Sequence, residues 1–312
     1  MSELILHHYE GSPFSEKVRL VLGFKRLAWR SVVVPVMLPK PDVVALTGGY
    51  RRTPFLQIGA DIYCDSALMC RVIDRLAPAP PLYPEATAGL DEIVAQWADS
   101  ALFWAAVPFT LQPAGVAHIF AGAPPDFMKA FGADRAAMNP SMRRAPLADL
   151  GAMLDAYVAR LDTLLGDDRP FLLGALPCIA DVAAAQSIWF VRRAPPVAVR
   201  LAPYGRVVSW YERVAAFGHG TRASMGSGEA IEVARQATVH APVAVSPREA
   251  LAAGDEVTVA AADYAHDEIT VRLVGLGGDE IVVERDDPRA GTVRVHFPRI
   301  GYHLKALRKD AS

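Results

Sequence analysis

Cysteine is scarce: Cys64, Cys70 and Cys178 are the only three in 312 residues. An odd count without framework spacing excludes a disulfide scaffold and fits a reducing, cytoplasmic compartment. Charge of one sign is missing too. The 32 basic and 34 acidic residues leave a formal net charge of -2, so nothing in the balance marks a partner among nucleic acids or anionic membranes. The longest apolar run, Val32 to Leu38, is broken by Pro35 and is far shorter than the ~20 residues of a bilayer span. The first residues place Glu3 before only Leu4, Ile5 and Leu6, which is neither an export nor a transit signal. No Cys/His cluster has metal-ligand spacing. His7 and His8 are adjacent, so in a strand they point to opposite faces and cannot share an ion. The expectation is a soluble intracellular protein without a metal.

Apolar material is ample. Hydrophobic residues make up 52% and charged residues 21%, which excludes global disorder, and the length suggests about two domains. Three textures follow one another. Residues 3 to about 77 mix β-like runs (Leu4 to Leu6, Ser31 to Val36) with helical spacing at Val18, Val21, Leu22 and Lys25. Phe55 to Ile58 and Asp61 to Tyr63 read as a hairpin around Gly59-Ala60, and Ser66 to Leu76 as a helix. The order β-α-β, β-β-α belongs to a small α/β sandwich. Pro78, Pro80, Pro81 and Pro84 then mark a linker.

From Asp91 to about Ser224 the pattern is helical. Ile93, Val94, Trp97, Ala101 and Trp104 are spaced to share a face, and Leu147 to Leu164 alternates three and four apart. Further helices are expected over Asp181 to Val191 and Val207 to Phe217. Between Pro108 and Pro146 the Ala, Gly, Pro and Met content rises, which reads as an irregular excursion or lid. Gly218-His219-Gly220-Thr221-Arg222-Ala223 fits a dinucleotide fingerprint on paper but follows a helix, so it reads as a closing turn. After Gly226-Ser227-Gly228, alternation at Val257 and Val259, at Ile269 to Leu273 and at Val293 to Phe297 predicts a small antiparallel β-module, compatible with a five-stranded barrel. In it, Arg294, His296 and Arg299 are candidates for a small basic face, and a solvated sheet surface explains them equally well. The boundaries are 1–80, 88–228 and 240–312.

The most informative stretch is Ser12-Pro13-Phe14-Ser15-Glu16-Lys17-Val18-Arg19, directly after the first strand. Ser12 suits an N-cap and Pro13 a first helical position. The free N–H groups and dipole of such a terminus also favour an anion, to which a serine hydroxyl can donate. This segment resembles the start of a glutathione S-transferase. Three more stretches match that family in order. Arg52-Thr53-Pro54-Phe55-Leu56 resembles the family's Val-Pro-x-Leu, whose cis-proline frees the preceding backbone for the cysteinyl part of glutathione. Asp65-Ser66 is similar to the pair that opens a helix and holds the γ-glutamyl group. Gly174 to Asp181 resembles the capping motif of the helical domain.

The resemblance covers residues 3 to about 224 and leaves the β-module outside it. It implies a thioredoxin-like α/β domain followed by an all-α bundle, a homodimer, and glutathione as co-substrate. The activity implied is conjugation to a small hydrophobic electrophile, a detoxification reaction. Ser12 would activate the thiol. Phe14, Lys40, Arg52, Thr53, Pro54, Asp65 and Ser66 would hold glutathione, Lys40, Arg51 and Arg52 being candidates for its glycyl carboxylate. Trp97 and Trp104 would line the electrophile pocket. Ser12 and Ser15 stand where thioredoxin-like relatives carry cysteines, which argues against disulfide exchange. His8 stands where many members place a catalytic tyrosine, with Tyr9 one residue off, and Cys178 replaces a capping hydroxyl. The alternative class is a binding protein that holds glutathione or a hydrophobic ligand without efficient turnover, its β-module docking a partner.

Overall fold

The computed structural model describes residues 3–138 and 145–307. Alternation along the first strand sets the layers. In β1 (Ile5–His8), Leu6 and the preceding Leu4 enter one core, and Ile5 enters another on the opposite face, as the two-residue period of a strand requires. The histidines split likewise: His7 Nε2 bonds Gln57 Oε1 at 2.8 Å, while His8 Nε2 bonds Ser31 Oγ at 2.8 Å. β1 pairs in parallel with β2 (Ala28–Val33) and antiparallel with β3 (Phe55–Ile58), which turns back into β4 (Asp61–Cys64). Helices α1 (Pro13–Phe24), α2 (Pro41–Thr47) and α3 (Ser66–Leu76) complete a thioredoxin-like unit. The second strand begins and ends three residues earlier than the β-branched run suggested.

The helical part comprises α4 (Leu90–Trp97), a π-helical turn over Ala98–Leu102, α5 (Phe103–Thr110), α6 (Pro113–Ile119), α7 (Pro125–Ala137), α8 (Leu147–Leu164), α9 (Ile179–Arg192), α10 (Pro195–Ala198) and α11 (Gly205–Ala215). The central helix is α9, buried except at Trp189 and Arg192. Its start is fixed by Asp181, whose Oδ2 accepts the Cys178 N–H at 2.9 Å while Oδ1 accepts the Trp210 indole N–H at 2.8 Å. The segment expected to be irregular contains α6 and α7. Helix α7 buries none of its own residues, so no apolar stripe announces it. Within the same expected excursion, 139–144 lie outside the described residues. No helix among the described residues is long and apolar enough to cross a membrane.

The C-terminal strands are not a closed barrel. β6 (Glu256–Ala261), β7 (Ile269–Leu276), β8 (Glu280–Asp287), β9 (Gly291–Pro298) and β10 (Tyr302–Ala306) are antiparallel among themselves, and β9 pairs in parallel with β4. On the opposite edge, the unpredicted β5 (Thr221–Ser224) pairs in parallel with β2. The result is one ten-stranded sheet in the order β10-β6-β7-β8-β9-β4-β3-β1-β2-β5. Both edges of the thioredoxin-like sheet are therefore covered, and the open edges of the enlarged sheet pass to β10 and the four-residue β5. The supposed closing turn is what delivers β5. Close approach makes this possible: a Cβ on Gly23 of α1 would lie 2.0 Å from the Gly218 carbonyl oxygen, and Gly220 has φ +66°. Helix α12 (Ser227–Gln236) comes next and packs across α2, β2 and β9.

Candidate functional site

The site grows from the N-terminus of α1. Ser12 is extended (φ -82°, ψ 124°) and caps the twelve-residue helix, accepting the Ser15 N–H at 3.2 Å. Its hydroxyl donates across to the Thr53 carbonyl oxygen at 3.5 Å, a long bond. The Thr53–Pro54 peptide is cis. Glu16 in the first turn would repel an anion, but its carboxylate is turned to Arg19 at 2.6 Å and His219 at 3.0 Å. The helix end is thus electrically available where Ser12 and Thr53 meet.

Cations flank this point. Lys40 Nζ donates to Thr53 Oγ1 and to the Arg51 carbonyl oxygen, both at 3.2 Å, and burial pulls its pKa down to about 8. Arg51 is engaged elsewhere, with Asp134 of α7 at 2.6 Å. Arg52, 9% exposed, pairs with Asp263 and with the Tyr264 carbonyl oxygen of the β6–β7 connection. On the other flank, Asp65 caps α3 by accepting the Ala67 N–H at 2.9 Å, from a backbone at φ +75°. That left-handed conformation is costly for a residue with a Cβ, and such strain clusters at functional sites. Ser66 Oγ accepts from Lys17 Nζ at 3.4 Å, and Lys17, fully buried, pairs with Asp99 at 2.5 Å. Burial opposes the Lys17 charge, but Asp99 outweighs it and holds the ammonium pKa above its usual value. Gln186 of α9 donates to the other Asp99 oxygen at 2.6 Å. This polar chain runs from the helical part to the start of α3.

A row of aromatic rings starts at Phe14, in the first turn of α1. Phe14 packs on Phe103 (4.7 Å between centroids), Phe103 on Trp104 (5.1 Å), and Trp104 edge-on to Tyr264 (5.5 Å). Trp97 is elsewhere, edge-on to Tyr157 of α8 at 5.4 Å. The seven-residue spacing of the two tryptophans would place them on one face of a regular helix. The π-helical turn between them inserts extra backbone and rotates the downstream helix by about 100° per added residue. Ile93, expected on the same face, is 66% exposed.

The proposed basic face of the C-terminal strands is not basic. His296 is buried between Asp61 (2.9 Å) and Glu280 (2.5 Å), Arg294 pairs with Glu284 at 3.0 Å, and Arg299 faces Glu249 at 3.7 Å. The partners of His296 and Arg294 lie on neighbouring strands, and Glu249 lies in the segment before β6, none of which alternation alone names. Sequence patterns also missed Lys17, Asp99, Asp263, Tyr264 and Tyr302, whose hydroxyl donates to Asp65 Oδ2 at 3.4 Å. Only Tyr264 left a trace, as the sole aromatic in the polar stretch Ala262 to Glu268. Among the described residues, no group of three or more His, Cys, Asp or Glu is placed to hold a metal ion.

Comparison with known proteins fits this geometry. Family models for the glutathione S-transferase N-terminal and C-terminal domains match residues 6–81 and 144–213. The crystal structure of a GST-like protein from Pseudomonas syringae is 39% identical, with a TM-score of 0.82 over 98% of this chain and 100% of that one. The likeness therefore runs through the C-terminal strands. A glutathione S-transferase from Rhodospirillum rubrum F11 (18% identity, TM-score 0.53) covers 68% of this chain and 88% of its own, and shares the fold. FzlA from C. crescentus (22% identity, TM-score 0.50) covers 69% and 88%. No curated protein matches. The chain belongs to the glutathione S-transferase family.

Proposed function

We propose that the protein conjugates glutathione to a small hydrophobic electrophile, with Ser12 activating the thiol. The observation that carries this is the Ser12 hydroxyl, set at the N-terminus of α1, where its oxygen accepts the Ser15 N–H and its hydrogen is engaged by a long 3.5 Å bond to the Thr53 carbonyl oxygen. A thiolate placed there would take that hydrogen and gain the helix end. A free thiol has a pKa of about 8.5, so few molecules are ionised at neutral pH; lowering it by about two units corresponds to roughly 2.7 kcal/mol. The thiol proton leaves to solvent. The thiolate then forms a carbon–sulfur bond with the electrophile, and either a leaving group departs or the product carbanion is protonated.

Around that point, the Thr53 backbone would pair with the cysteinyl unit, Asp65 and Ser66 with the γ-glutamyl end, and Lys40 or Arg52 with the glycyl carboxylate. Phe14 and Trp104 would border the electrophile. Proposed with this are a cytoplasmic homodimer and a role in detoxification. The second reading, a ligand-binding protein without efficient turnover, draws support from Arg52, whose guanidinium is already engaged by Asp263 and Tyr264.

Calorimetric titration with glutathione, with S-methylglutathione as control, tests the site. Tighter binding of the free thiol is expected for the wild type, and equal affinity for Ser12→Ala. A thiol pKa restored from about 6.5 to 8.5 lowers the thiolate fraction at pH 7 by about 25-fold, so turnover with a model electrophile should fall by that factor and recover above pH 9. Turnover unaffected by Ser12→Ala would reject Ser12 as activator, and absence of binding by either ligand would reject the site.

A further inference from the structure

The C-terminal strands reach Arg52, a residue that the proposed function assigns to glutathione. Residues 262–268 connect β6 to β7 and lie against three separate elements. Asp263 pairs with Arg52, which also donates to the Tyr264 carbonyl oxygen. The Tyr264 ring covers the guanidinium, 3.9 Å from its central carbon, and meets Trp104 of α5 edge-on. The Ala265 N–H donates to the Met138 carbonyl oxygen at 2.8 Å, tying the connection to the end of α7. His266 Nδ1 lies 2.8 Å from the Ala261 carbonyl oxygen and closes the loop on itself. Ala265 has φ +48°, a left-handed conformation that a residue with a Cβ rarely holds unless its surroundings impose it.

A connection between neighbouring antiparallel strands needs only a few residues and no contact with a distant helix. This one places a carboxylate, a carbonyl oxygen and an aromatic face on a single buried arginine. Those are the features by which a carboxylate-bearing peptide would engage that arginine. We infer that residues 262–268 are a built-in plug: Asp263 and Tyr264 occupy Arg52 as a pseudo-ligand, and an anionic tripeptide gains Arg52 only by displacing them. The inference rests on the proposed glutathione site. The Asp263 side chain is 55% exposed, so water competes for its charge and the latch is weak enough to open. A ligand that binds only the open state has its apparent affinity reduced by the open fraction. A plug closed nine-tenths of the time or more therefore masks affinity by about 10-fold or more.

The test uses the full chain in three forms: wild type, Asp263→Asn, and Asp263→Ala with Tyr264→Ala. The single variant removes the charge while leaving the packing in place, so it stands if the double variant does not fold. Each is titrated with S-methylglutathione, and the rate of Arg52 modification by phenylglyoxal is read by peptide mass spectrometry. Expected are an affinity gain in both variants, about 10-fold in the double variant, and a matching acceleration of Arg52 modification. Unchanged affinity and unchanged Arg52 reactivity overturn the plug and leave the glutathione site standing. Weaker binding in the variants also overturns it, making Tyr264 part of the ligand site. Faster Arg52 modification without ligand binding in any form upholds the plug and rejects glutathione as the ligand.

Discussion

Replacing His296 by Gln should destabilise the whole molecule and flatten its response to alkali. His296 is 1% exposed and sits where β9 meets β4, with Nε2 2.9 Å from Asp61 and Nδ1 2.5 Å from Glu280. Tyr63 packs on its ring at 4.3 Å, and His240 Nδ1 lies 3.7 Å from the same Asp61 oxygen. Burial disfavours the imidazolium, but the bonds to Asp61 and Glu280 outweigh it and raise the pKa above 6.5. For Asp61, burial likewise opposes the charge and the His296 bond prevails, lowering the pKa below 3.8. The His296 contribution is thus complete below about 6.5 and is lost as pH rises through its folded value. The Asp61 contribution is complete above about 3.9 and is lost as pH falls through its lowered value. Removing one member of a buried pair leaves the other uncompensated, at a cost of about 3–5 kcal/mol. Guanidinium unfolding midpoints at intervals from pH 5 to 9 provide the measurement. The wild type's advantage over His296→Gln should be full below about pH 6.5 and shrink as pH rises above it, the contributions of His7, His8 and Lys40 being common to both proteins. Parallel curves for the two proteins would refute the reasoning.

Two other predictions concern the site and its scaffold. If Lys40 holds the glycyl carboxylate, affinity for S-methylglutathione, which has no thiol to titrate, should fall as pH rises through about 8. Lys40→Met should abolish that dependence, and a flat wild-type profile would exclude the role. Gly23→Ala should destabilise by about 1–3 kcal/mol, because its Cβ meets a backbone carbonyl rather than a side chain that could move; an unchanged thermal midpoint would show that the segment at Gly218 yields.

What could be read without coordinates was local. The Ser12 cap, Pro13 and the apolar spacing at Val18, Val21 and Leu22 define α1 within a few turns of chain, and the short motifs at Thr53-Pro54, Asp65-Ser66 and Gly174 to Asp181 are equally compact. Strand alternation named the buried faces of the C-terminal strands, because period two distinguishes inside from outside. It is silent on lateral neighbours, so the pairing of β9 with β4 stayed hidden. β5 has no buried residue, and nothing apolar betrays it. Trp97 and Trp104 were separated by a single irregular turn, which spacing rules assume away. Asp263 and Tyr264 reach Arg52 across more than two hundred positions, a distance over which local patterns carry no information.

The ten-stranded sheet has a consequence for how the protein is made. β4 is synthesised long before its neighbour β9, which pairs with it through residues Arg294 to His296. Contacts this remote in sequence form slowly, since a very long loop must close before they contribute. While the ribosome is still adding the helical part, both edges of the thioredoxin-like unit stay bare, and open edges recruit other chains. Chains released before β9 is made should therefore be the aggregation-prone species, and β4 depends for protection on a strand synthesised long after it.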